Sequence, residues 1–266
     1  MSRPHLDKVT QRLLSGKTPV FACTEDPRFS FSLYIPSAHS FDGPRIPLLV
    51  AVHGLKRNTG GYINNLKDFS ERHGIAVLCP LFPAGIIEPS DVHNYKDVLY
   101  RGIRYDRVLL AMLTQAHGVW RIETARFFLH GFSAGGQFAH RFLYLHAHRL
   151  RGISIGSPGS ITRPSARDAA WPAGLGDVEE VFGVAPDWEA IAGVPMQVLV
   201  GERDTETEGI ARDDRAGRTR FERAHVLHAE FARCGVRACE ITIVRGVGHD
   251  GIKCLSAVEA WLAPLL

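Results

Sequence analysis

Residues 131–136 read Gly131-Phe132-Ser133-Ala134-Gly135-Gly136, with the run Arg126 to His130 directly before them and a helix-patterned run from Gln137 directly after. A chain that passes from a buried strand into a helix within so few residues must turn sharply enough to strain the serine backbone. Small residues two before and two after the serine let strand and helix pass closely. The Ser133 hydroxyl is therefore expected at the edge of a sheet, with the N-terminus of the following helix pointing at it. Phe138, Phe142 and Leu145 fall on one face of that helix, which supplies the strand–turn–helix context that a nucleophile elbow requires.

The rest of the chain repeats one theme. Val20 to Thr24 and Ser30 to Ile35, joined by a turn containing Asp26-Pro27, read as an antiparallel hairpin at a sheet edge. Strands then alternate with amphipathic helices, the signature of a parallel sheet covered on both faces. Leu48 to His53 precedes a helix built on Ile63, Leu66 and Phe69 and stopped by Gly74. Ile75 to Cys79 precedes, after a long loop, a helix built on Val108, Leu109 and Met112. Gly152 to Ile155, Val194 to Val200 and Glu240 to Val244 read as further strands, and Leu255, Val258 and Leu262 mark a last helix. Two long segments interrupt the alternation, Leu81 to Gly102 and Ser157 to Gly193, and loops of that length in a compact fold are often functional.

A serine hydroxyl is a poor nucleophile at neutral pH and needs a base to take its proton and an acid to orient that base. Val194 to Val200 ends in Gly201-Glu202-Arg203-Asp204, and the strand at Glu240 to Val244 ends in Arg245-Gly246-Val247-Gly248-His249-Asp250. Ser133, Asp204 and His249 thus follow one another as nucleophile, acid and base. On the residues alone Glu202, two positions away, remains a second candidate for the acid. Asp250 is suited to starting the last helix, where a carboxylate in the first turn is favoured.

In this order and context the chain resembles the α/β-hydrolase superfamily, and the resemblance covers essentially its whole length. The short form, the Phe-Ser-Ala-Gly-Gly elbow and the Gly-x-x-Asp acid are most similar to the dienelactone-hydrolase-like and polyester-depolymerase or feruloyl-esterase-like esterases. Dienelactone hydrolase itself uses cysteine where this chain has Ser133. The resemblance implies a mostly parallel twisted sheet of about eight strands with helices on both faces and a short cap or insertion, 157–193, after the sixth strand. It implies a single domain over 1–266. It puts the acid three residues past the strand-closing glycine, which favours Asp204 over Glu202. It also gives Leu55, after Leu48-Leu49-Val50-Ala51-Val52-His53-Gly54, an oxyanion-hole role through its backbone N–H, with the N–H of Ala134 as partner. Phe132, Tyr95, Trp171 and Trp188 are candidates for the substrate pocket, although large aromatics serve equally to glue an irregular loop to its body.

Other chemistries find little support. His146/His148 point to different helix faces and His225/His228 lack a third ligand, so no metal is expected. Neither a phosphate loop nor a dinucleotide fingerprint is present, so no cofactor is expected. The net charge is only +3 and the arginines of 203–223 alternate with acids, which argues against nucleic acid as a partner. Five cysteines without a C-x-x-C pair argue against a disulfide framework and structural zinc. The charged stretch from Met1 to Thr18 lacks an apolar core and no 18 apolar residues run together, so a cytoplasmic protein off the membrane is expected. The expected activity is hydrolysis of a small-molecule carboxylic ester through an acyl-serine. An amidase, peptidase or lactonase with the same three residues, a ligand sensor that does not turn over, and a homo-oligomer all stay open.

Overall fold

The computed structural model describes residues 6–266, and residues 1–5 lie outside that range. After a short helix α1 (Lys8–Leu13), strands β1 (Gly16–Lys17) and β2 (Phe21–Ala22) both run antiparallel to β3 (Ser30–Ile35). The strand read from Val20 to Thr24 is therefore shorter than the sequence suggests, and Gly16–Lys17 adds a piece the sequence reading missed. Pro19 explains the division: it has no N–H to give the ladder, so the edge breaks between the two pairings. Thr18 bridges the gap, its N–H donating to the Leu33 carbonyl and its hydroxyl accepting from the Leu33 N–H, each at 2.9 Å.

From there strands and helices alternate. They are β4 (Leu48–Val52), α2 (Thr59–His73), β5 (Ala76–Leu81), a ribbon of β6 (Leu99–Tyr100) and β7 (Ile103–Arg104), and α3 (Tyr105–Val119). Next come β8 (Phe127–Phe132), α4 (Ala134–His146), β9 (Leu150–Gly156), α5 (Val178–Phe182), α6 (Trp188–Ala192) and β10 (Met196–Gly201). The chain closes with α7 (Arg220–Arg233), β11 (Cys239–Val244) and α8 (Leu255–Leu262). Among the described residues, the main sheet has nine strands in the order β1-β3-β5-β4-β8-β9-β10-β11, with β2 also on β3. Every pair from β5 to β11 is parallel.

Side-chain alternation divides the core between the two faces of this sheet. Leu48, Val50 and Val52 of β4 join one cluster with Leu109 and Met112 of α3 and Phe138 and Phe142 of α4. Leu49 and Ala51 join the other, with Ile63, Leu66 and Phe69 of α2 and Val258 and Leu262 of α8. α2 starts at Asn58, whose side chain accepts from the Gly61 N–H, and ends at Gly74 with φ 63°. Buried polar groups on the second face are tied across four strands. His130 meets Ser154 at 3.1 Å, the Ser154 hydroxyl donates to Gln197 at 2.8 Å, and Gln197 donates to Thr242 at 3.0 Å. A one-residue slip would turn this ladder out of contact, so it specifies register as well as satisfying buried groups.

The segment after β9, residues 157–193, lies along α4. Arg141, 1% exposed, donates to the Thr162 and Ser160 hydroxyls and to the Lys96 carbonyl, and pairs with Asp97 at 2.9 Å. It thereby joins this segment to the long loop after β5. The Trp171 indole N–H donates to the Asp97 carbonyl, and its ring meets Phe182, over which the Arg104 guanidinium lies at 4.7 Å. Arg104 and His146 both hold the buried Asp106. Burial pushes that carboxyl up, but the hydrogen bonds outweigh it and hold it at about 2.

Candidate active site

Ser133 follows the last residue of β8 and caps α4 with φ 60° and ψ −117°, a strained conformation for a residue with a side chain. Its N–H donates to the Gly156 carbonyl at 2.9 Å, and its carbonyl accepts the first helical bond from Gln137 at 3.0 Å. The flanking glycines answer to packing. A methyl group at Gly131 would drive into the backbone of Gly135, and one at Gly135 into the carbonyls of Val52 and His53. The local sequence therefore buys a close approach of β8, α4 and the end of β4 that no larger residue permits.

The loops after β10 and β11 are laced together. Glu202 N–H donates to the Val244 carbonyl at 3.0 Å, Arg203 N–H to the Val247 carbonyl at 2.8 Å, and the Glu202 carboxylate accepts from Gly246 N–H at 2.7 Å. That last bond occupies Glu202 in the loop, and no described hydrogen bond links it to His249. Asp204 lies on the other side, buried to 1% exposure, with Oδ2 2.7 Å from His249 Nδ1. His249 Nε2 lies 2.9 Å from Ser133 Oγ. A carboxylate only accepts, so Nδ1 donates to Asp204 and Nε2 is left to accept from the serine hydroxyl. The Phe132 ring, 5.0 Å from the imidazole, backs His249, and the Asp250 carboxylate caps the turn toward α8 by accepting from Ile252 and Lys253 N–H.

The loop after β4 closes the other side. A Cβ on Gly54 would sit 3.6 Å from the Ser133 Cβ, which puts this loop against the serine. Among the described residues, no hydrogen bond takes up the N–H of Leu55. Ala134 opens α4, and the first N–H groups of a helix have no helical acceptor. Below the loop, the buried His53 ring accepts from Phe82 N–H at 3.0 Å through Nε2, so its Nδ1 donates to the Gly54 carbonyl at 2.9 Å. Burial lowers the His53 ring to about 4, which keeps it neutral and this tautomer fixed.

The pocket candidates end in different places. Phe132 reaches the site as the support of His249. Tyr95 is not a pocket wall: it is fully buried, and its hydroxyl donates to the His53 carbonyl at 2.6 Å from beneath the loop. Trp171 is taken up by the packing beside Arg104 described above. Trp188 lies under the Arg167 guanidinium in a helix packed on the turn Ala147–Arg149, at the end of α4 remote from Ser133. Large aromatics carry no sequence mark that separates packing from ligand contact, and these three were drawn in by tertiary neighbours.

Several residues around the site escaped the sequence reading. Arg57, with φ 52°, donates to the Leu55 carbonyl at 2.6 Å, the Phe82 carbonyl at 3.1 Å and Asn94 at 3.2 Å, while stacking on Tyr95. It braces the Gly54–Leu55 turn on the loop after β5. Gln137, one turn beyond Ser133, accepts from the Ser160 hydroxyl at 2.7 Å. Buried Arg223 donates to the carbonyls of Gly159, Ala211 and Gly217, tying 157–160 to the long loop between Asp204 and α7. That loop borders an open surface cleft of about 410 Å³ lined by Thr207, Ile210, Ala211, Arg212, Asp214 and Arg218. An Arg or a Gln in a charged or helical stretch gives no local signal of such duties; only the fold reveals them.

Among the described residues, no group of three or more His, Cys, Asp or Glu could hold a metal ion, and no helix is long and apolar enough to cross a membrane. What the arrangement can do chemically is transfer a proton from Ser133 to His249 beside two free backbone N–H groups.

No family model and no curated protein sequence matches the chain. Solved structures do. A poly(3-hydroxybutyrate) depolymerase from Bordetella parapertussis is 24% identical with a TM-score of 0.70, over 88% of this chain and 83% of that one. A poly(aspartic acid) hydrolase from Sphingomonas is 19% identical with a TM-score of 0.71, over 87% and 92%. An S-formylglutathione hydrolase from Staphylococcus aureus is 14% identical with a TM-score of 0.64, over 93% and 96%. At these identities the likeness is one of architecture.

Proposed function

We propose that this chain, which has the α/β-hydrolase fold, is a one-domain serine hydrolase that cleaves a small-molecule carboxylic ester. The observation that carries the reading is the unbroken run of hydrogen bonds from Ser133 Oγ through His249 to Asp204, at 2.9 and 2.7 Å, at the carboxyl end of a parallel sheet. Three residues 45 and 116 positions apart have no packing reason to meet in that order of acceptors and donors.

In the proposed reaction His249 Nε2 takes the proton of Ser133 as Oγ attacks the ester carbonyl. The N–H groups of Leu55 and Ala134 hold the oxyanion, and His249 gives the proton to the departing alcohol, leaving an acyl-serine. Water, deprotonated by the same imidazole, attacks the acyl-serine, and His249 gives that proton to Ser133 Oγ as the acid is released. Asp204 keeps Nδ1 protonated and the ring aligned throughout. Because both oxyanion donors are backbone groups, side-chain changes at Leu55 or Ala134 reshape the pocket without deleting them.

Esters are favoured because theirs is the least demanding of these acyl bonds and the structural neighbours include enzymes named as depolymerase and hydrolases. Turnover of matched p-nitrophenyl esters and p-nitroanilides by wild type and His249→Ala tests this. Multiple turnovers of the ester, little of the anilide, and loss of both in the variant are expected. Stoichiometric binding without turnover on every panel member would favour the ligand-sensing alternative.

A further inference from the structure

The second carboxylate oxygen of Asp204 is the least provided-for atom of the site. Oδ2 meets His249, but Oδ1, buried from solvent, has no hydrogen-bond partner among the described residues. Among the described residues, the permanent opposite charge set against it is that of Arg220, whose Nη1 lies 3.7 Å from Oδ1. That is beyond hydrogen-bond reach, so the contact is one of charge. The Arg220 side chain is only 12% exposed, and its own Nε is likewise buried without a partner among the described residues. A buried carboxylate and a largely covered guanidinium, each with an unused polar atom, thus face one another beside the proton relay.

The pairing is set by the backbone. Phe221 N–H donates to the Asp204 carbonyl at 3.1 Å, which pins the first turn of α7 to the acid-bearing loop. Thr219 caps the helix by accepting from Glu222 N–H at 3.1 Å, leaving Arg220 as the residue turned toward Asp204. On its far side Arg220 meets the 157–160 segment: a Cβ on Gly159 would lie 3.8 Å from Arg220 Nε and 3.1 Å from Gln137 Nε2. Arg223, the other buried cation of this region, spends its donors on three carbonyls and so does not compete for Asp204.

We propose that Arg220 is a positioning residue for the hydrolytic reaction. Its charge holds Asp204 in the rotamer that directs Oδ2 at His249, and so sets how well His249 can activate Ser133. This rests on the serine-hydrolase reading. A buried carboxylate with a single hydrogen bond and no counter-charge would turn toward other donors, and His249 would lose its orientation with it.

The test is the rate at which a fluorophosphonate labels Ser133, which needs no knowledge of the natural substrate. Arg220→Gln is expected to slow labelling about tenfold, the scale of coupling between residues in one network. Arg220→Lys, which keeps the charge, is expected to restore most of that rate. In an Asp204→Asn background the same Arg220→Gln change is expected to have little effect, because the group it acts through is gone. Arg220→Met, which also removes the unpartnered buried polar atoms, carries the same expectations if the glutamine variant does not fold. Labelling at the wild-type rate in Arg220→Gln, or in Arg220→Met where the glutamine variant does not fold, would overturn the proposal. So would an equal slowing with and without Asp204, which is what a merely structural role gives. Failure of wild type to label at all would instead remove the serine-hydrolase reading on which this rests.

Discussion

Replacing Ser133 by glycine is expected to stabilise the fold relative to replacing it by alanine, even though both changes abolish the hydroxyl. Both variants lose the hydrogen bond to His249 Nε2, so their difference isolates the backbone. At φ 60° and ψ −117° a side chain crowds its own carbonyl, and residues held in such regions cost on the order of 1–3 kcal/mol. Glycine escapes that cost but loses about 0.5–1 kcal/mol more conformational entropy on folding than alanine. The net expectation is about 1 kcal/mol in favour of Ser133→Gly. For a chain of this size that raises the melting temperature by roughly 2–4 °C over Ser133→Ala. Calorimetry of the two variants at equal concentration decides the matter. If Ser133→Gly melts at or below Ser133→Ala, the elbow is not strained as the dihedral angles imply, and the argument that its geometry is held in place by surrounding packing fails.

Three further outcomes follow from named contacts. Tyr95→Phe leaves the buried His53 carbonyl without its 2.6 Å donor at unchanged ring volume, so it is expected to cost about 1–3 kcal/mol in denaturant unfolding and to slow turnover by loosening the Gly54–Leu55 turn. Arg141→Met removes the donor that ties 96–97 to 160–162, and amide exchange is expected to quicken in both segments together while β8 stays protected. His53, His130 and His140 are buried as neutral rings, and burial lowers all three, the first two to about 4. The unfolded chain binds these protons first, near pH 6.5. Their contribution is therefore full above that pH and is lost as pH falls from about 6.5 toward 4, by about 3 kcal/mol for each of the first two. Urea midpoints that stay flat over that range would contradict it.

How far the sequence could be read depended on whether a feature was local. Leu48 to His53, with apolar side chains for both faces, could only be a buried strand, and the elbow marked its own strand and helix. The elbow and the glycine-rich loop after Val244 marked Ser133 and His249, the family resemblance rather than chain order favoured Asp204 over Glu202, and the fold brings the three within hydrogen-bond reach. Features made by long-range contact were not legible. β1 exists because Tyr34 and Ile35 lie alongside it, and the β6–β7 ribbon depends on positive φ at Arg101 and Gly102, of which only the glycine advertises itself. α7 was hidden by the charged run before it. Arg57, Arg220 and Arg223 look like any surface arginine until the loops fold over them. Tyr95 and Trp188 show the converse, since an aromatic in a long loop reads equally well as a pocket wall or as packing.

The central claim is that Ser133 is an activated nucleophile. Intact-mass analysis after fluorophosphonate treatment, run on wild type and Ser133→Ala side by side, tests it most directly. The expected result is a single adduct on wild type and none on the variant, with ester turnover reduced on the order of 10⁴-fold or more in parallel. No adduct on folded wild-type protein, or an adduct that persists in Ser133→Ala, would contradict the account.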